Sequence, residues 1–477
     1  MEATIGLEIH VRLRTTSKLF CGCSTDSADA EPNANTCPIC LGFPGSKPKI
    51  NKKAVEHGIR IAKALNCSLA PAVRFSRKSY FYPDMPKNYQ ITQYEQPLAE
   101  AGYLVLNGRR IRIRRVHLEE DPARLVHVGG DITSSLYNLI DYNRSGVPLA
   151  EIVTEPDIAD TREARLFLEK LGVTLDHLGV YDPHAEGSLR VDANVSVDGG
   201  SRVEVKNITG YRNVEKALSF EAVRQRSMAR MGVDVARETR HYDSGTGSTV
   251  SLRGKEQEED YGYIVEPDLV RINLRPGWVE TIEATMPELP DQRTMRLVEQ
   301  YGITGFQAGI IVNAGLEMSL FYEECCRLYG DAETVANWLV TYLLKSLNYL
   351  GLTLGESGVK PGTFVELLTL IDEGVISQRT AKELIKDYAA GGESPRRLVE
   401  EKGLALMPRG RLREVVAEVV AENPQAVEDY LGGTGKAAEY LVGQVLRRVR
   451  ARADANVVRK IIIEMLESIG DNASVAQ

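Results

Sequence analysis

The stretch L-R-V-D-A-N-V-S-V at residues 189–197 alternates apolar with polar or small side chains, and it indicates the fold class of the first part of the chain. A period of two places the apolar residues of a β-strand on one face and the polar residues on the other. The same alternation occurs at 111–114 and 202–206, between segments rich in turn-forming residues. Helical spacing lies between such segments, over 53–65 and 161–171. These patterns predict an α+β region with a largely antiparallel sheet.

The pattern changes near residue 290, and helical spacing follows from there on. Apolar residues recur at intervals of three and four over 412–420, 441–449 and 457–466, which is typical of amphipathic helices that each bury one face. The segment M-P-R-G at 407–410 interrupts this spacing and has the composition of a flexible join. The sequence therefore predicts an all-α region after the sheet, with a small helical segment at its end.

The composition argues against several classes of protein. Of the 477 residues 43% are hydrophobic, yet no stretch approaches the ~20 consecutive apolar residues of a membrane helix. The chain opens on an alternating run at 5–13 without a signal-peptide pattern, so we expect a cytoplasmic protein with no membrane partner. The net charge of -8 provides no general attraction for nucleic acid, so RNA contacts require local basic patches. Seven cysteines, an odd number, argue against a disulfide framework.

Four of the cysteines form two close pairs, C-G-C at 21–23 and C-P-I-C at 37–40. Two pairs joined by a short loop suit four thiolates around a tetrahedral zinc ion. The alternatives are buried thiols that cluster without a metal, or a site that has lost its metal. A redox-active C-x-x-C pair is disfavoured because the other pair lies close by. Four thiolates close the coordination shell, so we predict a structural Zn²⁺ held by Cys21, Cys23, Cys37 and Cys40.

Acidic residues gather along several predicted strands. In G-L-E-I-H at 6–10, Glu8 and His10 fall on the same strand face. A dense group, H-L-E-E-D, follows at 117–121. Carboxylates gathered on one sheet can hold a pair of Mg²⁺ ions. The alternative is that each set is a solvated face, because periodicity does not show which faces converge. Further residues are placed in a similar way: Glu151, Asp192, Asn194, Glu204 and Lys206.

Three more segments contain residues that can bind a substrate. The segment at 77–90 combines four aromatic residues with basic groups, and it either stacks on a nucleotide or tRNA end or packs as a loop over the sheet. The segment D-S-G-T-G-S-T at 243–249 can cradle a phosphate, but a hairpin turn is favoured. Seven basic and two acidic residues at 436–460 form either an RNA-binding patch or a solvated helix face. No P-loop and no dinucleotide-binding glycine motif occurs in the sequence.

A series of long strings, in order along the chain, is similar to one protein family. They are G-L-E-I-H-V at 6–11, A-E-P-N-A-N-T at 30–36, C-L-G-F-P-G-S-K-P-K-I-N at 40–51, R-K-S-Y-F-Y-P-D at 77–84, H-L-E-E-D at 117–121, D-Y-N-R-S-G-V-P-L-A-E-I-V-T-E-P-D at 141–157, E-G-S-L-R-V-D-A-N-V-S at 186–196, E-V-K-N at 204–207 and L-V-G-Q-V at 441–445. Over essentially its whole length the chain resembles the B subunits of the aspartyl/glutamyl-tRNA amidotransferase family.

The resemblance implies an architecture, partners and ligands. The domains would be a cradle-shaped catalytic domain at 1–290, a helical domain at 291–408 and a small helical tail at 409–477 that binds tRNA. The partners would be a glutaminase A subunit of the amidase family and a small C subunit, in a heterotrimer. The ligands would be ATP, Mg²⁺ and misacylated Asp-tRNA(Asn) or Glu-tRNA(Gln), with Zn²⁺ in a structural role.

The implied activity is that of a glutamine-hydrolysing carbon–nitrogen ligase. ATP phosphorylates the side-chain carboxylate of the misacylated tRNA, and ammonia channelled from the glutaminase subunit displaces the phosphate. Phosphorylation is needed because a carboxylate would otherwise have to lose oxide. Phosphoryl transfer itself depends mainly on positioning and on charge neutralisation by metal ions and cations.

The resemblance also suggests roles for individual residues. The residues expected to act in catalysis are Glu8, His10, Glu119, Glu120, Glu151 and Lys206. The residues expected to hold Mg²⁺ are Glu8, His10, Glu120, Glu151, Asp192 and Glu204. The residues expected to bind ATP or substrate are Lys78, Tyr80, Tyr82, Arg144, Arg190 and Asn194. The residues expected to bind tRNA are Lys436, Arg447, Arg448, Arg450 and Arg452.

The main alternative is a zinc-containing scaffold that binds tRNA and has no activity of its own. The acidic residues argue against it, because they would repel RNA phosphates unless metal ions intervened; they are Glu8, Glu119, Glu120 and Glu151. A second alternative, the related archaeal Glu-tRNA-specific subunit, carries a large inserted domain for which this chain has no room.

Overall fold

The structure is a computed structural model that describes residues 3–26, 30–129, 135–185, 187–254, 262–449 and 452–475. The chain divides into two compact units, Met1–Arg293 and Thr294–Gln477. The first combines a largely antiparallel sheet with helices, and the second is helical, so the predicted α+β and all-α classes are confirmed. Among the described residues, no helix has both the length and the apolar character that a membrane crossing requires.

The first unit is built around one large sheet. Within the described residues this sheet has nine strands, in the spatial order β14-β13-β12-β11-β1-β10-β7-β6-β2. Neighbouring strands are antiparallel except β12 and β13, which are parallel. The strands of the unit are β1 (Ala3–Arg12), β2 (Ser68–Leu69), β3 (Ala72–Val73), β4 (Ser76–Ser79), β5 (Tyr89–Thr92), β6 (Ala99–Leu106), β7 (Arg109–Glu120), β8 (Arg124–Val128), β9 (Tyr137–Asp141), β10 (Pro148–Thr154), β11 (Leu189–Val197), β12 (Val203–Thr209), β13 (Glu238–Asp243), β14 (Ser248–Gly254), β15 (Gly262–Val265) and β16 (Ile272–Asn273).

Alternation along the strands separates an apolar face from a polar face. On the central strand β1, Ile5, Leu7 and Ile9 are fully buried, while Glu8 and His10 point to the other side. The apolar face packs against α1 (Lys52–Ala64), α2 (Thr161–His177) and α3 (Tyr211–Arg230), and the buried side chains form one core. The helices therefore cover one face of the sheet and leave its polar face for a site.

In the described part of the first unit, three smaller β-structures and one more helix accompany the large sheet. One sheet has the order β15-β4-β5, β16 pairs with β3, and β8 pairs with β9. The helix is α4 (Pro276–Ala284). The segment 243–249 joins the antiparallel strands β13 and β14, and the Asp243 carboxylate accepts a hydrogen bond of 2.8 Å from the Gly245 backbone N–H. The interpretation of this segment as a hairpin turn is thus confirmed.

The described residues of the second unit form two apolar cores. One comprises residues between 297 and 399, including the fully buried Tyr322, Phe364 and Tyr388, and the other comprises residues between 412 and 466. Where the domains begin and end stays a prediction. The helices, of which α5 begins before the unit boundary, are α5 (Pro290–Tyr301), α6 (Gly305–Asn313), α7 (Leu316–Tyr329), α8 (Ala332–Trp338), a π-helical turn (Leu339–Leu343), α9 (Leu344–Leu350), α10 (Leu354–Ser357), α11 (Pro361–Asp372), α12 (Gln378–Gly391), α13 (Pro395–Glu401), α14 (Arg409–Glu422), α15 (Pro424–Leu431), α16 (Lys436–Arg448) and α17 (Ala455–Val475).

Candidate functional site

The polar face of the large sheet forms the floor of a cleft of about 900 Å³. Side chains from β1, β7 and β10 to β13 line this floor, and side chains from β4, β5 and β15 line one wall. The cleft therefore collects residues that are far apart in the chain, from Glu8 to Tyr263.

The floor of the cleft brings three of the predicted residues together. The strand register pairs His10 on β1 with Glu151 on β10. Nε2 of His10 lies 3.4 Å from Oε1 of Glu119 and 3.6 Å from Oε2 of Glu151. The possible ligand atoms of these three residues all lie within 4.8 Å of one another, close enough to bind a single cation. We call His10, Glu119 and Glu151 the acidic centre.

A second histidine holds the acidic centre in place. His117 lies opposite Glu151 in the ladder between β7 and β10, and its Nε2 is 2.9 Å from Oε2 of Glu151. Its Nδ1 atom is buried and has no hydrogen-bond partner among the described residues. His117 is not among the predicted site residues, although its position two residues before Glu119 places both side chains on one strand face.

The acidic centre contains unbalanced charge. Burial alone would lower the pKa of His10, but its hydrogen bond to Glu151 and the charges of Glu151 and Glu119 raise it to about 9. Burial and the charge of Glu151 raise the pKa of both Glu119 and Glu8. Burial opposes the ionisation of Glu151 too, but His117 and His10 hold the pKa of its carboxyl well below the usual range. The acidic centre itself has two carboxylates beside one imidazole, and this set of donors fits a divalent cation.

Other predicted metal ligands lie beside the acidic centre. Glu8 is opposite Asp192 in the ladder between β1 and β11, and Glu204 lies on β12. These three carboxylates line the cleft, as does Lys206, whose Nζ is 3.9 Å from Oε2 of Glu204. Nδ2 of Asn194 donates a hydrogen bond of 3.3 Å to Oε1 of Glu8, so Asn194 positions Glu8 and is not itself part of the cleft lining.

The structure corrects the assignment of Glu120 as a metal ligand with His10. Successive side chains of a strand point to opposite faces, so Glu119 faces the cleft and Glu120 faces away from it. Both carboxylate oxygens of Glu120 accept hydrogen bonds from Nζ of Lys87, at 2.5 and 2.6 Å, and one also accepts from the Ile91 N–H at 2.8 Å. Glu120 is a buried structural carboxylate, and its metal and catalytic roles are not supported.

Of the predicted substrate-binding residues, Lys78, Tyr80 and Arg190 line the cleft. Nη2 of Arg190 donates a hydrogen bond of 2.6 Å to Oδ1 of Asp121, which fixes the guanidinium beside the floor.

Two other predicted substrate-binding residues do not line the cleft. Tyr82 is 50% exposed and lies outside it. Arg144 donates to the carbonyl oxygens of Pro122 and Ala123, at 3.2 and 2.8 Å, and therefore holds the chain that follows β7. Neither side chain lines the cleft, and their roles in substrate binding stay a prediction.

Several cleft residues were missed in the sequence. Tyr94 and Tyr263 stack in the cleft wall with ring centroids 3.9 Å apart and planes at 12°. Arg202 and Arg237 lie near the start of β12 and β13, also in the cleft. Arg202 and Arg237 lie two residues before Glu204 and Thr239, so strand alternation places each arginine on the same face as that residue. Nothing local in the sequence, however, indicates that β13 lies beside β12.

The four clustered cysteines lie in the loop between β1 and α1. The Sγ atoms of Cys21, Cys23, Cys37 and Cys40 all lie within 4.8 Å of one another, and this donor set fits one zinc ion. Lys18 is fully buried beside them, with its Nζ 3.7 Å from Sγ of Cys40 and 2.8 Å from the Asn35 carbonyl oxygen. We call these four cysteines the cysteine centre.

The thiols of the cysteine centre differ in acidity. A hydrogen bond from Cys21 and the charge of Lys18 lower the pKa of Cys40 to about 5. Burial and a hydrogen bond with Cys37 raise the pKa of Cys23 to about 11. The Cys40 thiolate is thus stabilised by the protein alone, whereas Cys21 and Cys23, whose pKa is raised, need a cation nearby to ionise.

The predicted tRNA-binding residues of the last helices differ in their contacts and exposure. Arg448 pairs with Glu422 at 2.8 Å, and Nε of Arg452 donates to the Val449 carbonyl oxygen at 3.4 Å. Lys436 and Arg447 are exposed at the two ends of α16. Arg450 lies outside the described residues. Part of the basic stretch is therefore a solvated helix surface with internal ion pairs.

Comparisons with known proteins give the same result for both parts of the chain. Residues 3–280 match the family model of the GatB/GatE catalytic domain, and residues 320–466 match that of the GatB domain. The aspartyl/glutamyl-tRNA(Asn/Gln) amidotransferase B subunit of Methanospirillum hungatei is 46% identical, with 98% of this chain and 99% of the relative covered. The proteins of the same name from Carboxydothermus hydrogenoformans and Saccharolobus solfataricus are 44% and 45% identical, with 98% and 97% of this chain and 99% of each relative covered. The chain belongs to the family of aspartyl/glutamyl-tRNA(Asn/Gln) amidotransferase B subunits, as the sequence resemblance predicted.

Proposed function

We propose that this chain activates and amidates the side chain of Asp or Glu carried by a misacylated tRNA. The observation that carries the proposal is the acidic centre, a set of cation ligands on the floor of an open cleft. In the first step the γ-phosphoryl group of ATP passes to the side-chain carboxylate. In the second step ammonia attacks the acyl phosphate and phosphate leaves, which yields Asn-tRNA(Asn) or Gln-tRNA(Gln).

His10, Glu119 and Glu151 are the residues that would hold Mg²⁺, with Glu8, Asp192 and Glu204 beside them. When bound, Mg²⁺ neutralises the charge of the transferred phosphoryl group. His117 keeps the Glu151 carboxylate ionised and oriented through its contact of 2.9 Å.

Cations of the cleft have the complementary role. Arg190, fixed by Asp121, and Lys78 present positive charge to the phosphates and to the substrate carboxylate. Lys206 stands on the far side of the floor, beside Glu204. These groups do not exchange protons with the substrate. They hold ATP and the substrate carboxylate together, although both are negatively charged and would otherwise repel each other.

The proposal includes partners and domains. A glutaminase A subunit would release ammonia that reaches the cleft, and a small C subunit would complete a cytoplasmic heterotrimer. Residues 1–290 would form the catalytic domain, 291–408 a helical domain and 409–477 the tRNA-binding tail. Within that tail, Lys436 and Arg447 are better placed for RNA phosphates than Arg448, whose guanidinium is paired with Glu422. The cysteine centre would hold Zn²⁺ and support the fold.

The scaffold alternative accounts for the cysteine centre but not for the cleft. A surface that only binds RNA gains nothing from carboxylates such as Glu119 and Glu8, whose pKa is raised by burial and by the nearby charge of Glu151. That arrangement costs stability and is typical of functional sites.

The test is tRNA-dependent ATP cleavage by the complex assembled with its partner subunits. His10→Ala should reduce cleavage about 100-fold or more, because a cation ligand is lost, and should leave the partner's glutaminase activity intact. The control is His127→Ala, which removes a histidine on β8, outside the cleft lining.

Two results would contradict the proposal. Unchanged ATP cleavage in His10→Ala would remove that residue from the metal site. A wild-type complex that binds misacylated tRNA but cleaves no ATP in response would favour the scaffold alternative.

A further inference from the structure

Two arginines stand side by side at one end of the cleft. The strands β12 and β13 run parallel with Glu204 opposite Thr239. Arg202 and Arg237, each two residues earlier, therefore occupy corresponding positions just before the strands begin. Neighbouring strands lie about 5 Å apart. Both side chains are exposed and line the cleft.

These two arginines have no partner within the part of the chain that the structure describes, in contrast to Arg114 and Arg190. Arg114 pairs with Glu155 at 2.9 Å, and Arg190 pairs with Asp121 at 2.6 Å. The carboxylate nearest in sequence to Arg202 on the same strand face, that of Glu204, is engaged elsewhere. It accepts a hydrogen bond of 3.1 Å from Oγ1 of Thr239 and lies 3.9 Å from Nζ of Lys206.

Two like charges on adjacent positions of neighbouring strands repel each other. An anion between the guanidinium groups would relieve this repulsion, and guanidinium presents two parallel N–H donors that match phosphate oxygens. We infer that Arg202 and Arg237 form a phosphate-binding pair, which takes a phosphate group of a substrate at the β12–β13 end of the cleft.

The inference rests on the proposed function, since that function supplies the two phosphate-bearing substrates. One source is ATP and the other is the backbone of the aminoacylated tRNA end. The chemistry of recognition is the same for both: a charge-assisted hydrogen bond from each guanidinium to phosphate oxygens. The acidic centre lies on β1, β10 and β7, two or more strands away from β12, so the pair and the acidic centre bind different groups.

The experiment measures steady-state kinetics of the assembled complex with the double variant Arg202→Gln/Arg237→Gln. We expect KM for one substrate to rise about 10-fold or more, with kcat within about twofold, because a ground-state contact is lost. A rise in KM for ATP identifies a nucleotide phosphate. A rise in KM for the aminoacyl-tRNA, with a shallower salt dependence, identifies an RNA phosphate. The double Arg→Lys variant should recover part of the loss.

The matched control is Arg230→Gln, which removes an exposed arginine at the end of α3, outside the cleft lining. It should change neither KM. If both KM values of the double Gln variant are unchanged, or if only kcat falls, the phosphate-binding pair is overturned. Equilibrium binding of ATP and of tRNA to the same complexes gives an answer that does not depend on ATP cleavage. Weaker binding of either ligand supports the pair even if the proposed reaction fails, and unchanged binding of both overturns it.

Discussion

Among its described residues, the first unit contains two sets of candidate metal ligands that are built in opposite ways. The cysteine centre takes its four ligands from one loop, within residues 21–40. The acidic centre takes its three ligands from β1, β7 and β10, which meet only through the strand register. Four thiolates close a tetrahedral shell, whereas three ligands beside a cleft leave positions for substrate oxygens. The closed centre therefore suits a role in supporting the fold, and the open centre suits the proposed reaction.

The two centres also balance their charge differently. At the cysteine centre the protein provides a fully buried lysine, Lys18, beside the thiols. At the acidic centre the imidazoles of His10 and His117 lie beside the carboxylates, and the pKa of Glu119 and of Glu8 stays raised. The carboxylates of the acidic centre therefore repel one another unless a cation lies between them, which fits a site that binds and releases substrates during the proposed reaction.

Removing the cysteine centre should have the largest effect on stability. Cys37→Ser/Cys40→Ser should lose the bound zinc and more than about 3 kcal/mol of the free energy of unfolding, because the loop is tied to the metal. Elemental analysis and denaturant unfolding measure both changes. Cys67→Ser is the control, since this buried thiol lies outside the centre and should leave the zinc content at about one equivalent. Wild-type protein purified without zinc, and equally stable, would show that the thiols only happen to cluster.

The buried ion pair of Lys87 and Glu120 lies just behind the acidic centre, and we expect it to contribute to stability. Their side chains are only 6% and 3% exposed. Lys87→Met should lower the free energy of unfolding by about 3 kcal/mol, since it leaves an unpaired buried carboxylate. The double variant Lys87→Met/Glu120→Met should recover much of that loss in a double-mutant cycle. Equal and additive losses in both single variants would mean that the two groups do not interact.

A smaller effect of pH is expected near the start of the cysteine loop. His57 on α1 lies 2.9 Å from the Arg14 carbonyl oxygen, and burial together with nearby Lys53 lowers its pKa from 6.5 to about 4. A lowered folded-state pKa means that the unfolded chain binds the extra proton between pH 6.5 and 4, so stability is lost as the pH falls through this window. The loss should be about 1.4 kcal/mol at pH 5.5 relative to pH 7.5.

Unfolding of wild type and His57→Gln at the two pH values tests this point. The variant should lack this part of the pH dependence, since it has no group that titrates there. An identical pH dependence in both proteins would assign the effect to other residues.

The sequence predicted the two centres to different degrees, for a physical reason. The cysteine ligands are close in the chain, so their spacing alone describes the site. Alternation correctly placed Glu8 and His10 on one face, but it applies to each strand separately. Which of Glu119 and Glu120 faces His10 depends on how β7 pairs with β10, and a shift of one residue exchanges them.

Long-range contacts account for the remaining differences. Arg144 has the charge expected of a phosphate ligand, yet its guanidinium is used by the carbonyl groups of Pro122 and Ala123. Tyr94 and Tyr263 are separated by most of the unit in sequence and meet only because β15 adds to β4. The helical half was easier to predict, because periodicity within one helix specifies its buried face without knowledge of its neighbours.

The most direct test compares two adjacent residues, Glu119 and Glu120, through the rate of tRNA-dependent ATP cleavage by the assembled complex. Glu119 faces His10 in the cleft, and Glu120 is bonded to Lys87 behind it. Glu119→Gln should reduce cleavage about 100-fold or more with little change in melting temperature. Glu120→Gln should lower the melting temperature but retain cleavage within about 10-fold at temperatures where it is folded. Abolished cleavage in Glu120→Gln, with near-normal cleavage in Glu119→Gln, would contradict the assignment of the acidic centre.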